Sequence, residues 1–293
     1  MGALVLHGAR RFQAARLAYG HGTTNARDEA AFLTLHTLGL APDAPARVLE
    51  RRVGLADTAR VQRLFVRRIR ERKPAAYLTR TAWLAGLRFY VDERAIVPRS
   101  HIAELLDARL VPWITDSSRI HAALDLCTGS GCLAILLARY FPRARITASD
   151  VSRPALAVAR RNVRDYRLNR HIRLVESDLF AGLAGKRYDL IVCNPPYVTA
   201  PGMRRLPREY RHEPRAALAG GKDGLDLVRR ILAAASDHLD ARGLLVVEVG
   251  AGRSAVEKAW PGLPFTWPDT SGGGDVFVLA REQILAAASA RGK

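Results

Sequence analysis

From His101 onward, short β-prone runs alternate with helical ones, and this rhythm constrains the fold more than any other feature of the chain. HAALDLC (121–127), RITASD (145–150), IRLVESD (172–178), YDLIVCN (188–194) and LLVVEVG (244–250) are short, apolar and β-rich. Helical patterns such as GCLAILLARYF (131–141) and RPALAVARRNVRDY (153–166) lie between them. Strands joined through helices pair in parallel, with the helices covering both faces of the sheet. PFTW (264–267) and DVFVLA (275–280) follow one another without a clear helix between them, which predicts an antiparallel pair at one edge. Residues 100–293 are thus expected to form a Rossmann-like, doubly wound α/β domain of seven strands.

The first 82 residues read differently. DEAAFLTLHTLGL (28–40) and TARVQRLFVRRIRERK (58–73) carry apolar residues at helical spacing, the second with a strongly basic outer face. Asp57 or Thr58 is expected to cap the second helix, and Pro74 to stop it. Residues 1–82 are therefore expected to be a small all-helical domain, and a role in substrate recognition is assigned to it. WLAGLRFYVDERAIVP, within 83–99, alternates in β fashion around Asp-Glu-Arg and predicts a hairpin linker.

Three cysteines, Cys127, Cys132 and Cys193, lack zinc-site spacing, and the eight histidines form no ligand cluster, so no metal is expected. No apolar run approaches the roughly 20 residues of a membrane span, and the start breaks into arginines after one short apolar patch. Reduced thiols and no leader predict a cytoplasmic protein without a membrane partner. The formal net charge is +18, and 41 of the 46 basic residues are arginine. A positive field of this size recruits polyphosphate surfaces, although a GC-rich genome would also favour arginine.

The first predicted strand empties into DLCTGSGC, Asp125 to Cys132, and a helix follows at once. Gly129 and Gly131 permit a tight turn that a ligand can approach closely. Asp150 ends the second strand 19 residues after Gly131, where a carboxylate can accept hydrogen bonds from ribose hydroxyls. Asp178 ends the third, placed to meet an adenine amino group. A phosphate-rich dinucleotide would sit poorly among Asp125, Asp150 and Asp178, with no Lys or Arg in the loop. A sulfonium nucleoside suits them, which points to S-adenosylmethionine. Helix capping, by Asp150 above all, is the plainer role for such acids.

The fourth strand ends in Asn194-Pro195-Pro196-Tyr197. An amide nitrogen is a poor nucleophile because its lone pair is delocalised into the carbonyl. A site can assist by accepting hydrogen bonds from both N–H groups, which aims the nitrogen at a methyl carbon. The Asn194 side-chain oxygen and the Pro195 carbonyl are suitable acceptors, the prolines fix them in place, and Tyr197 offers a ring face to a flat group. Asn194, Pro195 and Tyr197 are the expected catalytic residues.

At this point the chain resembles the bacterial protein-glutamine N5-methyltransferases. The likeness is carried by AYLTRTAWLAGLRFYVDERAIVPRS (76–100), DLCTGSGC, NPPYV, LPREYRHEPRAALAGGKDGLDLVRRIL (206–232) and VEVG (247–250). These segments, and YGHGTTNARDEA (19–30), are most similar to the branch that modifies large-subunit ribosomal protein number three. The resemblance implies that Cys127, Thr128, Gly129, Ser130, Gly131 and Asp150 hold the methionine and ribose parts of S-adenosylmethionine, with S-adenosylhomocysteine as product. It places Asp178 and Leu179 by the adenine and gives the target glutamine to Asn194 through Tyr197. The sister branch, acting on peptide-release factors, often has an aromatic at the position of Leu179. His101 stands where related sequences often have proline.

Glu213 and Glu248 are expected to act as caps or hydrogen-bond partners, and Trp83, Phe89 and Tyr90 as apolar packing between the two parts. The partner implied is the ribosomal protein, free or in an early assembly particle, with a ribosomal RNA contact through the basic surface. Three alternatives stay open. They are the same chemistry on a release-factor glutamine, methylation of an exocyclic base nitrogen in a flipped nucleotide, and a non-catalytic RNA-binding assembly factor on the same fold.

Overall fold

The computed structural model describes residues 1–291; the last two residues of the expected α/β domain lie outside it. Four helices come first, α1 (Gly2–Ala14), α2 (Ala26–Thr37), α3 (Leu55–Glu71) and α4 (Ala75–Thr79). Val5, Phe12, Leu33, Val61 and Phe65 form their common core, and the Phe12 and Phe65 rings meet edge to face at 5.2 Å. A Cβ at Gly8 would lie 2.5 Å from the Phe65 ring, so only glycine lets α1 and α3 approach this closely. Helix α3 starts one turn before the sequence-based expectation, with Gly54 as its N-cap and no side-chain cap. Asp57 instead sits in the first turn, where it meets Arg60 and the positive end of the helix dipole.

The hairpin is shorter than predicted and turns elsewhere. Strands β1 (Ala82–Leu84) and β2 (Leu87–Phe89) pair antiparallel around Ala85 and Gly86. Both turn residues have positive φ, 47° and 71°, which is what a two-residue turn needs to match strand twist. The Asp-Glu-Arg stretch lies beyond it in irregular chain, where Asp92 binds its neighbour Arg94. Phe89 is fully buried in the core of the sheet domain, as packing between the two parts requires.

Helix α5 (Ile102–Asp107), with His101 as its N-cap residue, leads into β3 (Ala122–Leu126), α6 (Cys132–Tyr140), β4 (Arg145–Asp150), α7 (Arg153–Asp165), β5 (Ile172–Glu176) and β6 (Tyr188–Cys193). Then come α8 (Ala200–Arg205), α9 (Asp226–His238), β7 (Leu239–Gly250), α10 (Arg253–Ala259), β8 (Asp275–Ala280) and α11 (Arg281–Arg291). The sheet order is β5-β4-β3-β6-β7-β8, parallel throughout except for β8. The sheet of the α/β domain therefore has six strands among the described residues, where seven were expected. The PFTW run contributes only an isolated antiparallel bridge from Thr266 to Val278, and its Phe265 and Trp267 pack on Phe277.

Side chains along the inner strands alternate between two cores. Leu190, Val192, Val246 and Val278 face one side with α5 and α6, while Ile191, Cys193, Val247 and Phe277 face the other with α9 and α11. This period of two, buried on both faces, is why the strands read as continuous apolar runs. The strand order reverses between β4-β3 and β6, and open sheets bind ligands at the carboxyl ends of strands beside such a reversal.

Candidate active site

A cavity of about 380 Å³ opens at that point. One end is built by the loop after β3. Cys127, Gly129 and Gly131 all take left-handed backbone conformations, so the chain reverses within five residues and presents its backbone to the cavity. A Cβ at Gly131 would come within 3.1 Å of the Ala159 Cβ in α7, so glycine also lets α6 and α7 pack together here. Asp150 holds the loop from the end of β4. Its carboxylate accepts the Gly129 N–H at 2.8 Å and the Ser152 N–H at 2.8 Å. The cap of α7 is Ser152, whose hydroxyl accepts from the Ala155 N–H. Burial raises the Asp150 pKa against the pull of these amides.

Cys127, Thr128, Gly129, Ser130, Asp150, Asp178 and Leu179 line this end. Gly131 sits behind the lining, and Asp125 stands apart from it. The Asp125 side chain is fully buried, accepts from the Thr128 hydroxyl and the Ala134 N–H, and does not border the cavity. Burial pushes its carboxyl up to about 7. It braces the turn from beneath. Asp178 is half exposed and paired with Arg230 at 2.8 Å, a surface contact of small energetic weight.

The other end is Asn194, Pro195, Pro196 and Tyr197, all lining the same cavity. The Asn194 side-chain N–H₂ donates to the Arg99 carbonyl at 3.5 Å. A carbonyl only accepts, so the amide presents its nitrogen to Arg99, and its oxygen makes no protein hydrogen bond among the described residues. The Tyr197 ring lies against Gly250 at the end of β7, where a Cβ would fall 2.6 Å from it. Gly220 likewise leaves room for the Pro196–Tyr197 backbone. Burial, with the nearby Glu248 charge, pushes the Tyr197 hydroxyl up to about 12, which leaves it a neutral ring.

The support behind Asn194 was largely missed in sequence. Glu213 accepts the Val97 N–H at 3.0 Å and both arms of the Arg99 guanidinium, at 2.5 and 2.7 Å. The buried His21 ring nitrogen lies 3.5 Å from the same carboxylate. Burial alone would raise the Glu213 pKa, but His21 and Arg99 hold it down to about 2. One carboxylate thus clamps the 97–99 segment that orients Asn194. Glu248 accepts from the Ser100 hydroxyl and the His101 N–H and fixes the next two residues. Glu213 and Glu248 are hydrogen-bond partners as expected, but no sequence pattern signalled what they hold.

The lining tests what the cavity could bind. Its two arginines, Arg94 and Arg99, are paired to Asp92 and Glu213, so no free cation faces a phosphate. Asp150, Asp178 and a glycine-rich backbone suit a cationic nucleoside. No group of three or more His, Cys, Asp or Glu side chains able to hold a metal ion occurs among the described residues.

Comparison with known proteins agrees with this arrangement. The family model described as Methyltransferase small domain matches residues 108–205. The catalytic domain of hMettl16, solved in complex with the MAT2A 3'UTR hairpin 6, shares the fold with a TM-score of 0.51 at 17% identity, over 78% of this chain and 86% of that one. The ribosomal protein uL3 glutamine methyltransferase of Bordetella pertussis is 54% identical over 96% of this chain and 95% of its own length. Those of Neisseria meningitidis serogroup A and Bradyrhizobium diazoefficiens are 54% and 48% identical, over 94% and 96% of this chain and 91% and 90% of their own lengths. With relatives of about half-identical sequence matching over nearly the whole chain, the chain belongs to the ribosomal protein uL3 glutamine methyltransferase family.

Proposed function

We propose that this protein transfers a methyl group from S-adenosylmethionine to the side-chain amide nitrogen of a glutamine in ribosomal protein uL3, in the cytoplasm and without a metal. The observation that carries the reading is Asn194 on the cavity wall, its amide nitrogen facing the Arg99 carbonyl and its oxygen without a protein hydrogen bond among the described residues. S-adenosylmethionine supplies an electrophilic methyl group on a sulfonium centre. The loop of Cys127 to Gly131 and Asp150 would hold its methionine and ribose parts, and Asp178 and Leu179 would flank the base.

Asn194 and the Pro195 carbonyl accept the two N–H bonds of the glutamine amide, which fixes the nitrogen and concentrates electron density on it. Tyr197 covers the amide plane. Neither acceptor is basic enough to take a proton beforehand, so the proton leaves to water after the C–N bond forms. The catalytic contribution is positioning and preorganised acceptors. Residues 1–82 serve as the substrate-recognition part. The substrate is uL3, free or in an early assembly particle, with ribosomal RNA against the basic surface.

The test is methylation of purified uL3 beside a peptide-release factor and an RNA control, with the modified residue located by fragment mass spectrometry. One methylated glutamine in uL3 is expected. Modification of the release factor would keep the chemistry and overturn the substrate. Label in RNA, or none anywhere, would overturn the reaction.

A further inference from the structure

Beside the active-site cavity runs a second groove of about 700 Å³, and the two share Val198, Leu206, Tyr210 and Leu218 as a common wall. Arg204, Arg211 and Arg215 line the groove. All three are exposed, and their guanidinium groups make no hydrogen bond or ion pair among the described residues. Arg205 and Arg208, on the same segment, are also exposed. Of the two acids of that segment, Glu209 does not line the groove, and Glu213 borders it only as a buried, already paired carboxylate. Glu209 is buried against Arg68 and Arg72, and Glu213 is buried against Arg99 and His21. The groove therefore offers unpaired guanidinium groups, and its one lining carboxylate among the described residues, Glu213, is already neutralised by Arg99. Scattered codon-driven arginine gives no reason for acids and bases of one segment to separate in this way.

We propose that this groove binds the phosphate backbone of RNA, so that the glutamine is presented to the neighbouring cavity by a protein already bound to RNA. The inference rests on the proposed function for the identity of that protein, but not for the RNA contact itself. Guanidinium forks match phosphate geometry bidentately, and neutralised phosphates release counterions, which drives binding. Among the described residues the one aromatic ring in the groove wall, Tyr210, is already engaged by His21 at 4.2 Å and by Arg99. It has little face left to stack a base, so the contact reads backbone and not sequence.

Full-length protein without methyl donor is titrated, by fluorescence anisotropy, onto two unrelated single-stranded RNA 20-mers over a range of salt. Three proteins are compared: the parent, Arg204→Gln/Arg211→Gln/Arg215→Gln, and a charge-matched control, Arg10→Gln/Arg160→Gln/Arg242→Gln, altered at exposed arginines elsewhere. Similar melting of the three by circular dichroism shows that each is folded. The groove variant is expected to bind at least tenfold more weakly. Its plot of log affinity against log salt should be shallower by about 2, roughly 0.7 for each phosphate that is no longer neutralised. The control should stay near the parent, and both RNAs should behave alike.

Methylation of free uL3 should survive in the groove variant, while stimulation by bound RNA is lost. Equal weakening of the control would show a diffuse field and overturn the site. Polyglutamate of matched charge competing as well as RNA would overturn the assignment to RNA. Failure of the parent to methylate uL3 at all would sink the proposed function and leave the RNA titration to stand on its own result.

Discussion

Two buried carboxylates brace the two ends of one cavity, and they do so by opposite electrostatics. Asp125, under the cofactor loop, has no cation beside it and is pushed up to about 7 by burial, so it serves partly as a neutral acid bonded to Thr128 and Ala134. Glu213, behind Asn194, is equally hidden but forked to Arg99 and close to His21, and it is held down to about 2. The loop end is held by hydrogen bonds from its own amides and the Thr128 hydroxyl to Asp125 and Asp150, with no cation in the set. The amide end is held by contacts spanning more than 110 residues of sequence, as from Val97 and Arg99 to Glu213, and depends on a charge pair.

The largest way to break this contrast is Glu213→Gln. It leaves the Arg99 guanidinium without its counter-charge, and loss of one partner from a buried pair costs about 3 kcal/mol or more of folding stability. Denaturant unfolding measures that. In the protein that stays folded, turnover should fall while cofactor affinity by calorimetry is preserved, because only the Asn194 end is disturbed. Asp150→Asn should do the reverse. Loss of the Asp150 carboxylate, the acceptor proposed for the ribose, is expected to weaken cofactor affinity about tenfold to a hundredfold, on the order of 1.5–3 kcal/mol, with turnover at saturating cofactor changed less.

The smallest effect is in pH dependence, where the two carboxylates have opposite signs. Glu213 has a folded-state pKa below the ordinary 4.5, so its stabilisation is full above that value and fades as pH falls towards 2. Asp125 has a folded-state pKa above the ordinary 3.8. Between about pH 4 and 7 the folded protein keeps a proton that the unfolded chain releases, so its contribution weakens as pH rises through that window. Thermal melts across pH should show Asp125→Asn flattening the decline above pH 4 and Glu213→Gln flattening the acid limb. A single variant that removed both slopes would contradict the contrast.

What sequence made legible follows the same division. The strand ends at Asp150, Asp178 and Asn194 could be read because period-two apolar runs stop there, and the glycine loop because left-handed turns demand glycine. Asp125 was assigned to the cofactor by its place in DLCTGSGC, yet its side chain turns inward to bond its own loop, which strand alternation alone does not reveal. Arg99, Glu213 and His21 could not be assembled in advance, since their meeting depends on how the helical part and the 206–217 segment fold over the sheet. The missing seventh strand has a similar cause. Phe265 and Trp267 are spent on packing against Phe277, and only Thr266 reaches a backbone partner.

The most direct test of the account is Asn194→Ala, assayed in one preparation for methyl transfer to the uL3 glutamine and for S-adenosylmethionine affinity by calorimetry. Removal of one preorganised acceptor should lower the transfer rate by about 10²- to 10³-fold, with cofactor affinity essentially kept. Near-parental transfer by this variant would contradict the claim that the Asn194 oxygen is what makes the amide reactive.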